Sequence, residues 1–193
     1  MKNIIISLSV LTILFFFTSC SVFIKKEKYS KNQLEFYNVY NANDTLIFQS
    51  LSTKKKDTSI IISKRIYTDA DWFRNINQEI MDLRYRNNVY KNSLYYENSS
   101  NLFNNFYPNS ISEFSCFYLR STFKLDTATT KKDHVDLTLS KQNFSDVYEL
   151  VYKRAKFYEG KDEDPEILYW DKKKGIIKYI TFNGEVWERI NWH

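Results

Sequence analysis

His134 is the residue best placed to do chemistry, because the other histidine, His193, is the final residue of the sequence. Asp136 follows His134 by two positions, so a strand would put both side chains on one face. Such a pair could orient an imidazole for general-base work or metal binding. One hypothesis is therefore a hydrolase or metal site around His134 and Asp136. The alternative is a solvated histidine at a strand edge.

Cys116 lies between aromatic residues in the segment FSCFYL and has no histidine near it in the sequence. A nucleophilic cysteine needs an activating base, so this pattern favours a buried core thiol. The chain has no phosphate-binding glycine loop, nucleophile elbow, zinc-binding helix motif or metal-type cysteine pair. We predict no catalytic, cofactor-binding or metal-binding residue, and we expect that the protein is not an enzyme.

The segment EGKDEDPE, residues 159–166, concentrates acidic residues in one loop. Calcium binds several carboxylates in one loop, but the spacing of an EF-hand and its later bidentate glutamate are missing. The segment is predicted to be a solvated loop.

Alternating apolar and polar residues predict that most of the chain forms strands. In the N-terminal part we expect strands at 34–40, 44–50 and 58–66, with a hairpin loop at 51–57. Farther along we expect one long strand at 113–126 and another in HVDLTLSK. The segment DVYELVYKRAKFY is ambiguous between strand and helix, and we favour a strand.

In one segment, the spacing of the apolar residues changes from that of a strand to that of a helix. Trp72, Ile76, Ile80 and Leu83 recur at spacings of four, four and three, which is typical of one face of a helix. The sequence therefore predicts an amphipathic helix near residues 70–86 that packs on the sheet. Residues 86–110, which follow, are rich in Asn and Ser with scattered aromatic residues. They form either a binding surface or a covering loop, since long loops are often functional.

The C-terminal segment predicts two consecutive hairpins. EILYWD and IIKYITF read as strands around the turn KKKG, and EVWERIN follows Asn183-Gly184. An Asn-Gly pair between strands favours a two-residue turn with positive φ at both positions. That register would place Ile180 opposite Trp187, Phe182 opposite Glu185, and Ile177 opposite Ile190.

Composition limits the class of protein. Aromatic residues make up 18% of the chain, and Gly and Pro are scarce, which argues against a disordered chain. The net charge is +5, but basic and acidic residues are mixed. Nucleic-acid binding predicts clustered basic residues, so we expect no nucleic-acid partner.

The first twenty residues have the pattern of a secretory signal. Lys2 precedes a mostly apolar run, Ile4 to Phe17, which is short for a transmembrane helix. Phe17-Thr18-Ser19-Cys20 then resembles the lipobox of bacterial lipoproteins, although Phe17 replaces the usual leucine. A plain secreted protein and an uncleaved anchor are the alternatives.

This resemblance implies cleavage between Ser19 and Cys20, a diacylglyceryl thioether on Cys20, and an acylated amino terminus. The predicted organisation is a signal peptide at 1–19, a lipidated cysteine and tether at 20–31, and a single globular domain at 32–193. Lys25-Lys26-Glu27 departs from the acidic run that exports some Bacteroidota lipoproteins to the cell surface. We therefore expect a protein in the outer membrane that faces the periplasm.

The tail LYWDKKKGIIKYITFNGEVWERI is similar to the closing segment of many small uncharacterised Bacteroidota lipoproteins, a resemblance that carries no known active site. The predicted fold is α+β and mainly β: an antiparallel sheet with hairpins and one helix. The predicted function is a binding or assembly module that contacts another envelope protein. The alternative is a lipocalin-like carrier of a lipid or other apolar ligand, which is a fold analogy only.

Overall fold

The computed structural model describes residues 25–29, 31–71, 76–88, 100–101, 113–119, 121–126, 134–139, 142–152 and 161–192. These residues include one helix, α1 (Lys31–Asn38). The strands are β1 (Lys25–Glu27), β2 (Thr45–Ser50), β3 (Lys56–Asp71), β4 (Ile76–Asn87), β5 (Ser100–Asn101), β6 (Glu113–Tyr118), β7 (Ser121–Asp126), β8 (His134–Leu139), β9 (Gln142–Val151), β10 (Pro165–Asp171), β11 (Gly175–Thr181) and β12 (Val186–Arg189). The fold is therefore α+β and mainly β, as predicted. Within the described residues, no helix is long and apolar enough to cross a membrane.

Ten strands form one sheet in the order β1-β4-β3-β2-β12-β11-β10-β9-β8, and β5 pairs with β4. All pairings within this sheet are antiparallel except that of β1 with β4. The hairpin β6–β7 forms a separate two-stranded sheet. The pairing of β12 with β2 joins the C-terminal strands to the N-terminal ones, so the sheet needs both ends of the domain.

The main core lies on one side of the sheet, which we call the inner face and which carries Phe48. Helix α1 and the β6–β7 hairpin both contribute side chains to this core. Phe36 of α1 packs against Tyr148 and Trp170, with ring centroids 5.4 and 6.2 Å apart. The largest fully buried side chains are aromatic: Trp170, Tyr37, Tyr40, Tyr118, Phe48 and Phe123.

Tyr40 joins the end of α1 to the sheet. Its hydroxyl accepts a hydrogen bond of 2.7 Å from the Ile176 N–H, and its ring meets Trp170 edge-on at 5.6 Å. The ammonium of Lys64 donates to the Tyr40 carbonyl at 2.7 Å, which satisfies a backbone acceptor just beyond the helix. Gly175 passes directly beneath the Tyr40 ring with a φ of +73°.

A second apolar cluster involves β8 to β11 and the C-terminal tail. Ile177 and Tyr169 belong to this cluster, whereas their neighbours Ile176 and Trp170 belong to the main core. Because successive side chains of a strand point to opposite faces, this cluster lies on the other side of the sheet. The Phe144 and Trp192 rings pack there, 5.0 Å apart.

The helix predicted near residues 70–86 is wrong. Those residues that the structure describes belong to β3 and β4, which pair from Ser59↔Asn87 to Asp71↔Ile76, and Trp72 lies outside the described residues. Met81, Leu83 and Tyr85 are buried at alternate positions, so period two describes β4 better than the three-four spacing. The long antiparallel ladder satisfies the backbone groups that a helix would have paired internally.

The strand predicted at 34–40 is also wrong, because Lys31–Asn38 forms α1. Phe36 and Tyr37 lie in this helix, Tyr40 lies two residues beyond its end, and all three side chains are buried in the core. Within the segment 20–31 that is predicted as a lipidated cysteine and tether, Lys25–Glu27 pairs with β4 as β1.

The long strand predicted at 113–126 is a hairpin instead, since β6 and β7 pair around a turn between Tyr118 and Ser121. The remaining predicted strands are confirmed, with shifted ends: β2, the first part of β3, β8, β9, β10, β11 and β12. The predicted hairpin between β2 and β3 is confirmed as well.

The predicted register of the last hairpin is off by one residue. Ile180 pairs with Val186, and Trp187 stands opposite Tyr179, with the two rings stacked 5.7 Å apart. The Gly184 N–H donates to the Thr181 carbonyl at 2.8 Å, and only Gly184 of the turn has positive φ. These features define a three-residue loop, a type I turn followed by a left-handed glycine, rather than the two-residue turn.

The two glycines with positive φ offer a matched test of packing. A Cβ on Gly175 would overlap the Tyr40 ring, whereas a Cβ on Gly184 meets nothing within 4 Å. Both Gly→Ala variants carry a backbone cost of about 1–2 kcal/mol, and steric overlap adds about 1–3 kcal/mol at Gly175. We expect Gly175→Ala to lower the free energy of unfolding clearly more than Gly184→Ala, as measured by urea denaturation. Equal losses would show that Tyr40 does not hold its place against β11.

Candidate functional site

A buried polar cluster lies on the inner face and is formed by Asp57, Ser59, Asn87, Tyr118 and Tyr179. The Asn87 amide donates to the Asp57 carboxylate at 2.7 Å and to the Ser59 hydroxyl at 2.8 Å. The Tyr179 hydroxyl donates to the other carboxylate oxygen of Asp57 at 3.0 Å. The Ser59 and Tyr118 hydroxyls share a hydrogen bond of 3.1 Å. We call these five residues the polar cluster.

Strand pairing brings this polar cluster together. Asp57 and Ser59 are two positions apart on β3 and therefore point to the same face. Asn87 is the cross-strand partner of Ser59 on β4. Tyr179 reaches Asp57 from β11, and its ring packs against Phe48, whose cross-strand partner is Asp57, at 5.2 Å.

The tip of the β6–β7 hairpin covers the polar cluster. The Tyr118 ring lies 5.4 to 6.1 Å from the rings of Phe48, Tyr85 and Tyr179. The next residue, Leu119, is buried with a φ of 46°, and its N–H donates to the Tyr85 hydroxyl at 2.8 Å. A positive φ at a leucine is strained, and these contacts hold the hairpin tip in that conformation.

The environment of Asp57 favours its neutral form. Burial raises the pKa of this carboxyl, while hydrogen bonds from Asn87, Tyr179 and the Thr58 backbone oppose the rise. These donors are all neutral, so no ion pair is made through them. Burial also raises the pKa of the Tyr118 hydroxyl well above its usual value, with a further rise from Asp57. Asp57 is only 1% exposed, so this polar cluster acts inside the protein rather than on a substrate at the surface.

His134 pairs with Asp146 rather than with Asp136. Its Nδ1 contacts the Asp146 carboxylate, and this bond is the main cause that lowers the pKa of Asp146. The His134 ring also meets Tyr148 edge-on at 4.2 Å. Asp136 instead accepts a hydrogen bond of 3.2 Å from the Asp146 N–H. Within the described residues, the two residues predicted as a pair are therefore connected through Asp146.

This geometry orients the imidazole but limits its chemistry. Nδ1 is occupied by Asp146, and Nε2 is buried without a hydrogen-bond partner among the described residues. A general base must bring a ring nitrogen within hydrogen-bond reach of its substrate. Lys172, 3.8 Å from Asp146, adds positive charge but no further base. Asp136 lines a separate surface depression of about 340 Å³ with Phe144, and His134 is not among its lining residues.

Two other predictions can be compared with the structure. Cys116 is a buried core thiol, as predicted, and burial raises its pKa. In the acidic loop, Lys161 to Glu163 are exposed, but Asp164 is buried and accepts a hydrogen bond of 2.8 Å from the Lys161 N–H. Among the described residues, no group of three or more His, Cys, Asp or Glu side chains could hold a metal ion.

Two predicted features cannot be placed. Cys20 lies outside the described residues, and so does most of the 86–110 segment. The polar cluster, in contrast, was missed by the sequence analysis. The shared parity of Asp57, Ser59 and Ile61 was a signal for an inward-facing strand, but the contacts with Asn87 and Tyr179 could not be deduced from it.

No protein-family model matches the chain, and comparison with curated proteins and with solved structures finds no match either. The functional interpretation therefore rests on the residues themselves.

The raised pKa of Asp57 predicts how the stability of the fold depends on pH. Its raised pKa means that the folded state binds a proton more tightly than the unfolded state, so this group loses stabilising effect as pH rises above its ordinary value of 3.8. Between pH 3.8 and the raised pKa, the free energy of unfolding of the native protein should therefore fall as pH rises. Compared with the Asp57→Asn variant, this fall should amount to up to about 1.4 kcal/mol per pH unit. Urea denaturation at several pH values measures this difference, with the exposed Asp162→Asn as the control. A constant offset between Asp57→Asn and the native protein would contradict the assignment.

Proposed function

We propose that the protein is a lipid-anchored component of the cell envelope whose domain acts as a non-enzymatic binding or assembly module. The observation that carries this proposal is the occupied inner face. Helix α1 contributes buried Phe36 and Tyr37 to this face, and the β6–β7 hairpin contributes buried Tyr118 and Phe123. Such a face contributes stability, and recognition is then left to the outside of the domain.

The alternative function is a carrier of a lipid or other apolar ligand. A carrier needs space on the apolar face of its sheet. Here Tyr118 packs against three aromatic rings of the sheet and bonds to Ser59. A ligand on this face would have to displace the β6–β7 hairpin, so the packing favours the binding module.

A hydrolase or metal site around His134 and Asp136 has less support. The two side chains do not contact one another directly, and neither ring nitrogen of His134 is free at the surface. An Asp–His pair does orient an imidazole, which is the one feature in favour of this alternative.

The anchor and the partners follow from the sequence patterns. The lipobox resemblance supports acylation of Cys20, and two or more acyl chains hold a protein on a bilayer stably. The partners proposed are membrane lipid through Cys20 and another envelope protein, with no nucleic acid. The departure of Lys25-Lys26-Glu27 from the export pattern supports a position in the outer membrane that faces the periplasm.

The lipid anchor can be tested with the two cysteines of the chain. Cys20→Ala should abolish acylation and cleavage after Ser19, so that the protein keeps residues 1–19 and lacks the acyl chains. Cys116→Ala should leave both unchanged, because this thiol is buried. Membrane fractionation and intact-protein mass spectrometry read out both effects. Unchanged membrane retention and processing in Cys20→Ala would refute the lipid anchor.

Native mass spectrometry of the protein, purified gently from its own membrane, separates the binding module from the carrier. A co-purifying protein is the result expected for the module. A lipid-sized adduct that persists in the Cys20→Ala variant would instead support the carrier and overturn the module.

A further inference from the structure

The chain enters the sheet at the end of a long two-stranded arm. We define the arm as Arg65–Asp71 of β3 with Ile76–Asp82 of β4, which pair with one another throughout. Residues 65–68 and 70 are exposed, so this part of β3 projects into solvent. Strand β1 runs parallel to β4 in the register Lys25↔Ile76 to Glu27↔Gln78, so the preceding chain arrives at the end of the arm.

One face of the arm carries a surface depression of about 350 Å³. It is lined by Lys26, Lys28, Thr68, Asn77 and Glu79. Strand pairing explains this grouping: Lys26 stands opposite Asn77, Thr68 stands opposite Glu79, and cross-strand partners share a face. The depression is therefore built from three adjacent strands.

The lining suits an anionic oxygen ligand. Two exposed lysines supply ammonium donors, and Thr68 and Asn77 supply a hydroxyl and an amide. Among the described lining residues, Glu79 is the one acidic side chain, and its carboxylate accepts a hydrogen bond of 3.0 Å from the Tyr29 N–H. The lining keeps an excess of positive charge, and a phosphate group can accept hydrogen bonds from each of these donors.

Ile66 adds an apolar element beside the depression. It lies two positions from Thr68 on the same strand and therefore on the same face, and it is 43% exposed. An apolar side chain next to basic groups is the combination that favours the interface of an anionic bilayer.

The length of the chain before β1 limits the distance between this face and the proposed anchor. Lys26 follows Cys20 by six residues, which span at most about 22 Å when fully extended. This limit holds whatever conformation the intervening residues adopt. If Cys20 carries the acyl chains, the depression cannot lie farther than that from the bilayer.

We infer that the depression on the arm binds the phosphate headgroup of an anionic bilayer lipid and holds the arm against the membrane surface. The inference rests on the proposed lipid anchor and deepens it, because it names a second contact between this protein and the lipid. The domain then has a preferred orientation: the arm lies at the bilayer, and the β2–β3 turn at the opposite end of β3 points away from it.

The test uses the full-length acylated protein in vesicles that contain phosphatidylglycerol. A polarity-sensitive fluorophore is attached at Ile66→Cys or, as the control, at Leu51→Cys in the β2–β3 turn, since Leu51 is likewise 43% exposed. Native Cys116 is buried and does not compete for the label. We expect quenching by aqueous iodide to be several-fold weaker at position 66 than at position 51.

Charge variants test the headgroup contact itself. The double variant Lys26→Gln/Lys28→Gln should restore quenching at position 66. The double variant Lys54→Gln/Lys55→Gln removes the same charge from the β2–β3 turn and should not restore it.

Equal quenching at positions 66 and 51 in acylated protein would overturn this inference and leave the lipid anchor standing. Protection at position 66 by inorganic phosphate without vesicles would assign the depression to a free anion instead. An unacylated Cys20, shown by mass spectrometry, would overturn both proposals.

Discussion

The fold depends on burying tyrosine rings while giving their hydroxyls hydrogen-bond partners, and in the described part of the chain no buried tyrosine hydroxyl lacks one. The hydroxyls of Tyr40 and Tyr85 accept backbone N–H groups of Ile176 and Leu119, and so fasten α1 and the β6–β7 hairpin to the sheet. Tyr29 does the same for β4, because its hydroxyl accepts the Met81 N–H. Each such bond contributes about 1 kcal/mol net, and leaving the buried group unpaired would cost about 1–3 kcal/mol. The tyrosines therefore supply apolar area and also specify which elements meet.

The polar cluster applies the same constraint more strictly. Asp57 has neutral hydrogen-bond donors from β4 and β11, and Ser59 connects the cluster to Tyr118 of the hairpin. A half-satisfied network of this kind would destabilise the fold, because unpaired polar groups are costly at low dielectric. Three parts of the chain that are distant in sequence must therefore assemble together. The result is an inner face occupied by the protein itself, which favours a module that recognises partners on its outside.

The two ends of the domain differ in the segments that form them. The β2–β3 turn, with its lysines, is held against the last hairpin, where Glu185 accepts hydrogen bonds from Ser50, Ser52 and Thr53. These bonds lower the pKa of Glu185 and keep two turns side by side. At the other end, the arm and β1 meet the chain that leads back to Cys20. If Cys20 is acylated as proposed, the arm faces the bilayer and the β2–β3 turn faces the compartment beyond it.

The sequence by itself determined the fold class, most strands and the burial of Cys116, because alternation of apolar residues between turn residues needs only local information. It also contains the lipobox resemblance, which is a local pattern. Tertiary structure decided the rest. Ile76, Ile80 and Leu83 have a helical spacing, but twelve pairings with β3 make this segment a strand. Lys31–Asn38 is a helix instead, and it buries Phe36 and Tyr37 in the main core. The last hairpin pairs one residue away from the predicted register, and in the observed register Trp187 stacks on Tyr179. The polar cluster joins residues up to 122 positions apart, and no local pattern encodes contacts at that separation.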